Sequence, residues 1–305
     1  MAFPNPDVEE FRKMVVPLLA ELRSKAPPEQ RVMFDASMEG IPLADGCVVE
    51  SLDLAGVPAE KITPRGAVAG KALLYLHGGG YVIGSLKSYR HLVSRFAVAA
   101  RTAVYHLDYR LAPEHPYPAA LEDAIKAYRQ LLTMGVAPQE MLVGGDSAGG
   151  NLAAALVLKV QESRLPQPAG LYLLSPWLDM TSAGLSYDKV SARDPICSRQ
   201  VMEAYAAIFL GSKRDDHFTS PVRAELAGLP PMLIQVGTEE VLLSDSLTLA
   251  SRAALAGVDV TLRVWAGMPH VWPMFHPFVR AGLPAIEEAG QWMRQYLQAA
   301  RLEAA

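Results

Sequence analysis

Residues 144–150 read Gly-Gly-Asp-Ser-Ala-Gly-Gly, which sets Ser147 among four glycines and an alanine directly after an apolar run. A serine wanted only for a turn does not need small neighbours on both sides. A serine held in a cramped backbone conformation, with its hydroxyl lifted clear, does. A hydroxyl at neutral pH attacks poorly unless a base takes its proton. That base needs a carboxylate to fix its tautomer and steady its cation. Of the seven histidines, His77 belongs to a glycine loop, and His91 and His106 fall within a predicted helix and strand. His115 sits in a proline-rich turn and His217 near the end of an insertion. His270, in Gly-Met-Pro-His-Val-Trp just after the last predicted strand, is the expected base, ahead of His276 six residues on. The carboxylate is expected after the strand at 231–237, where Glu240 is the first choice, Asp245 the second and Glu239 the third. Each would be equally at home as a solvated acid near a helix N-terminus. The chain order serine, acid, histidine is what raises the group above that alternative.

The second half of such chemistry is stabilisation of negative charge. His77-Gly78-Gly79-Gly80 ends an apolar run of strand length, and three glycines let backbone N–H groups turn toward an oxygen with no side chain in the way. The N–H of Ala148, beside the serine, would add a further donor. Losing one such donor typically costs on the order of 10²–10³ in rate. A phosphate-binding loop is the rival reading, but the stretch lacks both a following Lys-Ser/Thr and the G-x-G-x-x-G spacing.

These residues need a frame. Strand-like runs at 71–80, 102–109, 141–147, 170–176, 231–237 and 258–265 alternate with helical stretches at 88–101, 118–135, 151–163, 244–257 and 284–301. Apolar strands alternating with helices predict an α/β fold with a mostly parallel central sheet covered on both faces. Residues 47–64 read as a hairpin, and Phe11, Met14, Val15, Leu18, Leu19 and Leu22 share one helical face, as a packed helix or as a flap over a site. Residues 185–222 break the rhythm as a largely helical insertion, at the strand ends where such sheets bind ligands. A cap is expected there.

At 305 residues, half of them apolar and a formal charge of −4, the chain gives no electrostatic reason to expect nucleic acid or an anionic membrane as partner. No stretch reaches the roughly 18–20 apolar residues of a membrane span. The start, MAFPNPDVEEFRKM, lacks the basic-then-apolar pattern of a secretory signal. Cys47 and Cys197 are far apart and in neither metal nor redox spacing, as expected of free thiols in the cytoplasm. With no metal-spaced cluster, no cofactor or metal is expected.

The glycine loop, the Gly145-Asp146-Ser147-Ala148-Gly149 elbow and the block 109–120, Tyr-Arg-Leu-Ala-Pro-Glu-His-Pro-Tyr-Pro-Ala-Ala, together resemble the bacterial hormone-sensitive-lipase-like (family IV) carboxylesterases of the α/β-hydrolase superfamily. The likeness runs from about residue 45 to the C-terminus. It implies an α/β-hydrolase fold with a helical cap, formed by about 1–45 and about 185–222 on one domain spanning 1–305. It implies a carboxylesterase acting on short- to medium-chain esters through an acyl-enzyme, with Ser147 as nucleophile, His270 as base and Gly78, Gly79 and Ala148 as oxyanion donors. The family's Asp-Pro-Leu at the acid position corresponds here to Glu240-Val241-Leu242. The 109–120 block would shape the wall behind the site, and family members often dimerise through the last strand, so a homodimer is expected. Tyr81, Trp177 and Trp272 are candidates to line the substrate pocket, with core packing as the alternative. An amidase or lactonase on the same triad is the rival activity. A non-catalytic binding protein is disfavoured because His270 is present.

Overall fold

The computed structural model describes residues 5–303. The ends of the expected domain, 1–4 in the N-terminal part of the cap and 304–305, lie outside the described residues. Among the described residues eight strands form one sheet: β1 (Cys47–Asp53), β2 (Pro58–Pro64), β3 (Ala72–Leu76), β4 (Ala103–Leu107), β5 (Met141–Asp146), β6 (Gly170–Leu174), β7 (Met232–Gly237) and β8 (Val260–Trp265). Their order is β1-β2-β4-β3-β5-β6-β7-β8. The hairpin β1–β2 joins antiparallel, β2 pairs antiparallel with β4, and every later pairing is parallel.

The helices are α1 (Pro6–Arg23), α2 (Pro27–Met38), α3 (Leu86–Ala100), α4 (Ala119–Thr133), α5 (Ser147–Glu162), α6 (Ser186–Lys189), α7 (Arg199–Leu210), α8 (Leu243–Leu255) and α9 (Gly282–Glu303). Strand side chains alternate between faces, and two cores result. Leu74, Val143, Leu173 and Ile234 face the core under α4, α5 and α8. Leu73, Tyr75, Leu142, Tyr172 and Leu233 face the core under α3 and α9. Continuous burial along β3, β5, β6 and β7 is why these strands read as unbroken apolar runs in the sequence.

The insertion differs from expectation. It carries one sizeable helix, α7, and a single four-residue turn, α6; the rest is loop, turn and a short 3-10 segment at Pro221–Arg223. Pro195 interrupts the stretch before α7, whose start is fixed by Ser198 accepting from the Val201 N–H at 3.3 Å. Among the described residues no helix is long and apolar enough to cross a membrane.

Candidate active site

The loops after β3, β5, β7 and β8 leave the carboxyl ends of neighbouring parallel strands, so residues far apart in sequence meet at one edge of the sheet. Ser147 begins α5 with φ of +52°. A non-glycine residue in that region carries of order 1–3 kcal/mol of strain and persists only when its surroundings hold it there. Here the Ser147 carbonyl accepts the Trp177 N–H at 3.0 Å. Gly149 permits the tight turn, since a Cβ there would collide with the carbonyl oxygens of Leu76 and His77.

His270 Nε2 lies 2.9 Å from Ser147 Oγ, and its Nδ1 lies 2.8 Å from Glu240 Oε2. A carboxylate only accepts, so Nδ1 carries the proton and Nε2 presents its lone pair to the serine hydroxyl. The other oxygen of Glu240 accepts the Gly237 N–H at 2.5 Å and the Ser175 hydroxyl at 2.9 Å. Ser175 also accepts the Val271 N–H at 3.1 Å, tying the acid and the histidine loop to one side chain. Burial disfavours a charged His270. The Cys197 thiol against the ring and the Glu240 carboxylate outweigh it and hold its pKa well above the usual value. Burial pushes the Cys197 thiol up as well. The Glu240 carboxylate adds a negative charge that favours imidazolium.

The two alternative acids are occupied elsewhere. Asp245 Oδ2 accepts the N–H groups of Leu178 at 2.8 Å and Asp179 at 3.0 Å, and the Tyr187 hydroxyl at 3.2 Å. Burial lifts its carboxyl to about 8. Glu239 pairs with Arg193 at 3.3 Å. His276 packs on His91, ring centroids 5.7 Å apart, and burial lowers it to about 4.

Gly78 departs from its expected role. Its N–H donates to Asp146 Oδ1 at 3.1 Å and is therefore engaged in the wall. Gly79 and Gly80, with φ of +105° and +64°, line the same cavity as Ser147. Asp146, invisible as a functional residue in the sequence, also accepts Tyr75 at 2.9 Å and Tyr89 at 3.0 Å through their hydroxyls. It thus fastens the glycine loop to the serine turn. The 109–120 block buttresses that loop: Tyr109 donates to the His77 carbonyl at 2.6 Å and stacks on its ring, and the Ala112 N–H donates to the Tyr81 carbonyl at 2.9 Å.

The three aromatic candidates prove to be packing. Tyr81 donates to Asn151 at 2.6 Å and stacks on Phe209 at 3.7 Å. The Trp177 indole is fully buried, and Trp272 donates to the Ala281 carbonyl at 3.3 Å. None of them is among the described residues that line the cavity. The walls are built from other apolar side chains, aliphatic and aromatic. The cavity above Ser147 measures about 170 Å³ and is lined by the Phe11, Met14, Val15, Leu18, Leu19 and Leu22 face of α1, with Phe34 and Met38 from α2. Ile196, Cys197, Met202 and Tyr205 close it from the insertion. The amphipathic face of α1 was visible in sequence, where packed helix and flap over a site stood as alternatives; its face lines the cavity.

A serine, a histidine and a buried carboxylate in hydrogen-bonded series, at the strand ends of this sheet, define a serine-hydrolase type of site. The alpha/beta hydrolase fold family matches residues 73–274. The chain is 38% identical to an acetyl-hydrolase of Streptomyces hygroscopicus, over 95% of this chain and 97% of that one. It is 34% identical to an esterase of Acinetobacter venetianus, over 88% of each. A crystal structure of an esterase from the bacterial hormone-sensitive lipase family superposes with a TM-score of 0.91 at 40% identity, covering 97% of this chain and 99% of that one. The chain belongs to the alpha/beta hydrolase fold family, in its hormone-sensitive-lipase-like group of esterases.

Proposed function

We propose that this protein is a carboxylesterase hydrolysing short- to medium-chain esters, with Ser147 as nucleophile, His270 as general base and acid, and Glu240 as the supporting carboxylate. The observation that carries the reading is the Ser147–His270–Glu240 series, at 2.9 and 2.8 Å, opening into an apolar cavity. Ser147 Oγ attacks the ester carbonyl while its proton passes to His270 Nε2. The carbonyl oxygen becomes an oxyanion held by the N–H groups of Gly79, Gly80 and Ala148. Collapse of this intermediate breaks the ester C–O bond, and His270 returns the proton to the departing alcohol. Water then attacks the acyl-enzyme by the same route and releases the acid.

Four further parts belong to this reading. Residues 1–45 and 185–222 act as a cap on a single domain; their shared lining of the cavity supports this. An apolar cavity of about 170 Å³ over Ser147 supports short to medium acyl chains. The edge position of β8 supports two-fold pairing of that strand in a homodimer. Work in the cytoplasm is consistent with two free cysteines.

The test is hydrolysis of p-nitrophenyl esters of increasing acyl length by wild type and by a folded Ser147→Ala variant. We expect turnover of short chains by the wild type and a loss on the order of 10⁴-fold or more in the variant. A variant that keeps its activity removes the nucleophile from the reading. A wild type inert to every ester removes the substrate class.

A further inference from the structure

Asp194 lies in the insertion, outside the catalytic series, yet its buried carboxylate is shared between two functional parts. Oδ1 accepts the N–H groups of Ile196 and Cys197, each at 2.8 Å. Both residues line the cavity above Ser147. Oδ2 accepts the N–H of Val241 at 2.9 Å, the residue directly after Glu240. One rigid side chain thus fixes the cavity wall and the backbone that carries the carboxylate partner of His270. Alongside it, Arg193 pairs with Glu239 at 3.3 Å, and the Ser244 N–H donates to the Ser186 hydroxyl at 2.9 Å. The insertion is therefore laced to the whole acid loop.

The series continues outward to α1. The carbonyls of Arg193 and Ile196 accept the guanidinium groups of Arg12 and Arg23. The turn 193–197 therefore has its carbonyls gripped by cations from the first helix and its N–H groups gripped by Asp194. Neutral-to-charged hydrogen bonds of this kind are the strong ones. Nothing in this arrangement touches the reacting atoms. It does govern where Glu240 sits relative to His270, and an error near 1 Å in such geometry costs about a hundredfold in rate.

We infer that Asp194 is a positioning residue that couples the acyl-binding wall at Ile196–Cys197 to the triad acid through Val241, so that the fit of the acyl chain and the alignment of Glu240 are set together. The inference rests on the reading of Glu240 and His270 given above. A side chain that merely held a loop would change stability and the fraction of active protein, and nothing else. A coupling residue changes the rate constant of each active molecule together with its preference for acyl length.

Asp194→Asn separates the two. The amide keeps one accepting oxygen and cannot serve both N–H groups on one side and Val241 on the other. The measurement is kcat and KM per active site, titrated with a phosphonate inhibitor, across p-nitrophenyl esters of two to eight carbons. We expect kcat per titrated site to fall by about tenfold or more and the acyl-length profile to flatten. An unchanged kcat and an unchanged profile overturn the inference, whatever the melting temperature does. If Asp194→Asn does not fold, Arg12→Met tests the same series from its outer end, at a residue that donates to the Arg193 carbonyl and is not among the described residues lining the cavity. A lower kcat per site with an altered acyl profile supports the coupling, and a change in KM alone overturns it. Glu240→Ala separates this result from failure of the underlying reading. Full activity in that variant removes the triad assignment, whereas an inactive Glu240→Ala beside an unaffected Asp194→Asn removes only the coupling.

Discussion

At the scale of single residues, the site turns on what occupies each carboxylate. Glu240 and Asp245 are both fully enclosed acids five positions apart, yet only Glu240 reaches His270. Asp245 uses one oxygen for two N–H groups and a tyrosine, a role an amide oxygen fills as well. Asp245→Asn should therefore retain kcat within about twofold, while Glu240→Ala should lose on the order of 10³-fold or more; parallel assays of the two purified proteins check this. The raised pKa of His270 also has a kinetic sign. Only the neutral imidazole can accept the serine proton, so kcat/KM should rise with pH along a limb whose midpoint lies above 6.5, the usual histidine value. Glu240→Gln removes the charge that favours imidazolium, so its residual activity should show that limb at lower pH. A pH profile of kcat/KM for both proteins reads the shift. That Ser147, His270 and Glu240 would meet was legible because their order and their places after strands are one-dimensional facts. Gly78 was misread because the direction of a backbone N–H depends on Asp146, sixty-eight positions away, and no local pattern announces that bond. Tyr81, Trp177 and Trp272 were misread for another reason: large rings are as useful to a core as to a pocket, and sequence carries no sign of which.

At the scale of elements, nearly every strand and helix of the sheet was legible, since continuous apolar runs and 3.6-residue periodicity follow from burial on two faces. The insertion was not, because its shape comes from tethers to α1 and to the acid loop rather than from its own periodicity. Helix α2 was also missed; its charged and apolar residues follow a weak amphipathic pattern. Packing between α3 and α9 supplies a clean mechanical test. A Cβ on Gly290 would overlap Ala99, including its backbone, so the two helices approach as closely as a bare glycine allows. Gly290→Ala should destabilise the fold by about 1–3 kcal/mol through overpacking, seen as a lower urea midpoint. Its kcat on a short ester should stay at the wild-type value, because neither helix carries a reacting group.

At the scale of the whole molecule, β8 ends the sheet, and its residues are half-buried or exposed along the strand. If that edge pairs across a two-fold axis, light scattering at micromolar concentration should give twice the monomer mass, and Leu262→Pro should return the monomer by removing a ladder N–H. A monomeric wild type overturns the dimer. Ser147, Glu240 and His270 stand at strand ends, whereas much of the cavity wall above them comes from other stretches of chain, α1, α2 and the insertion. Descent can therefore treat them as two inheritances. Exchanging the first forty residues between relatives should transplant a substrate preference while leaving the cutting apparatus in place, provided the partners of the 193–197 turn are carried across together. That turn is the seam at which such a graft either takes or fails.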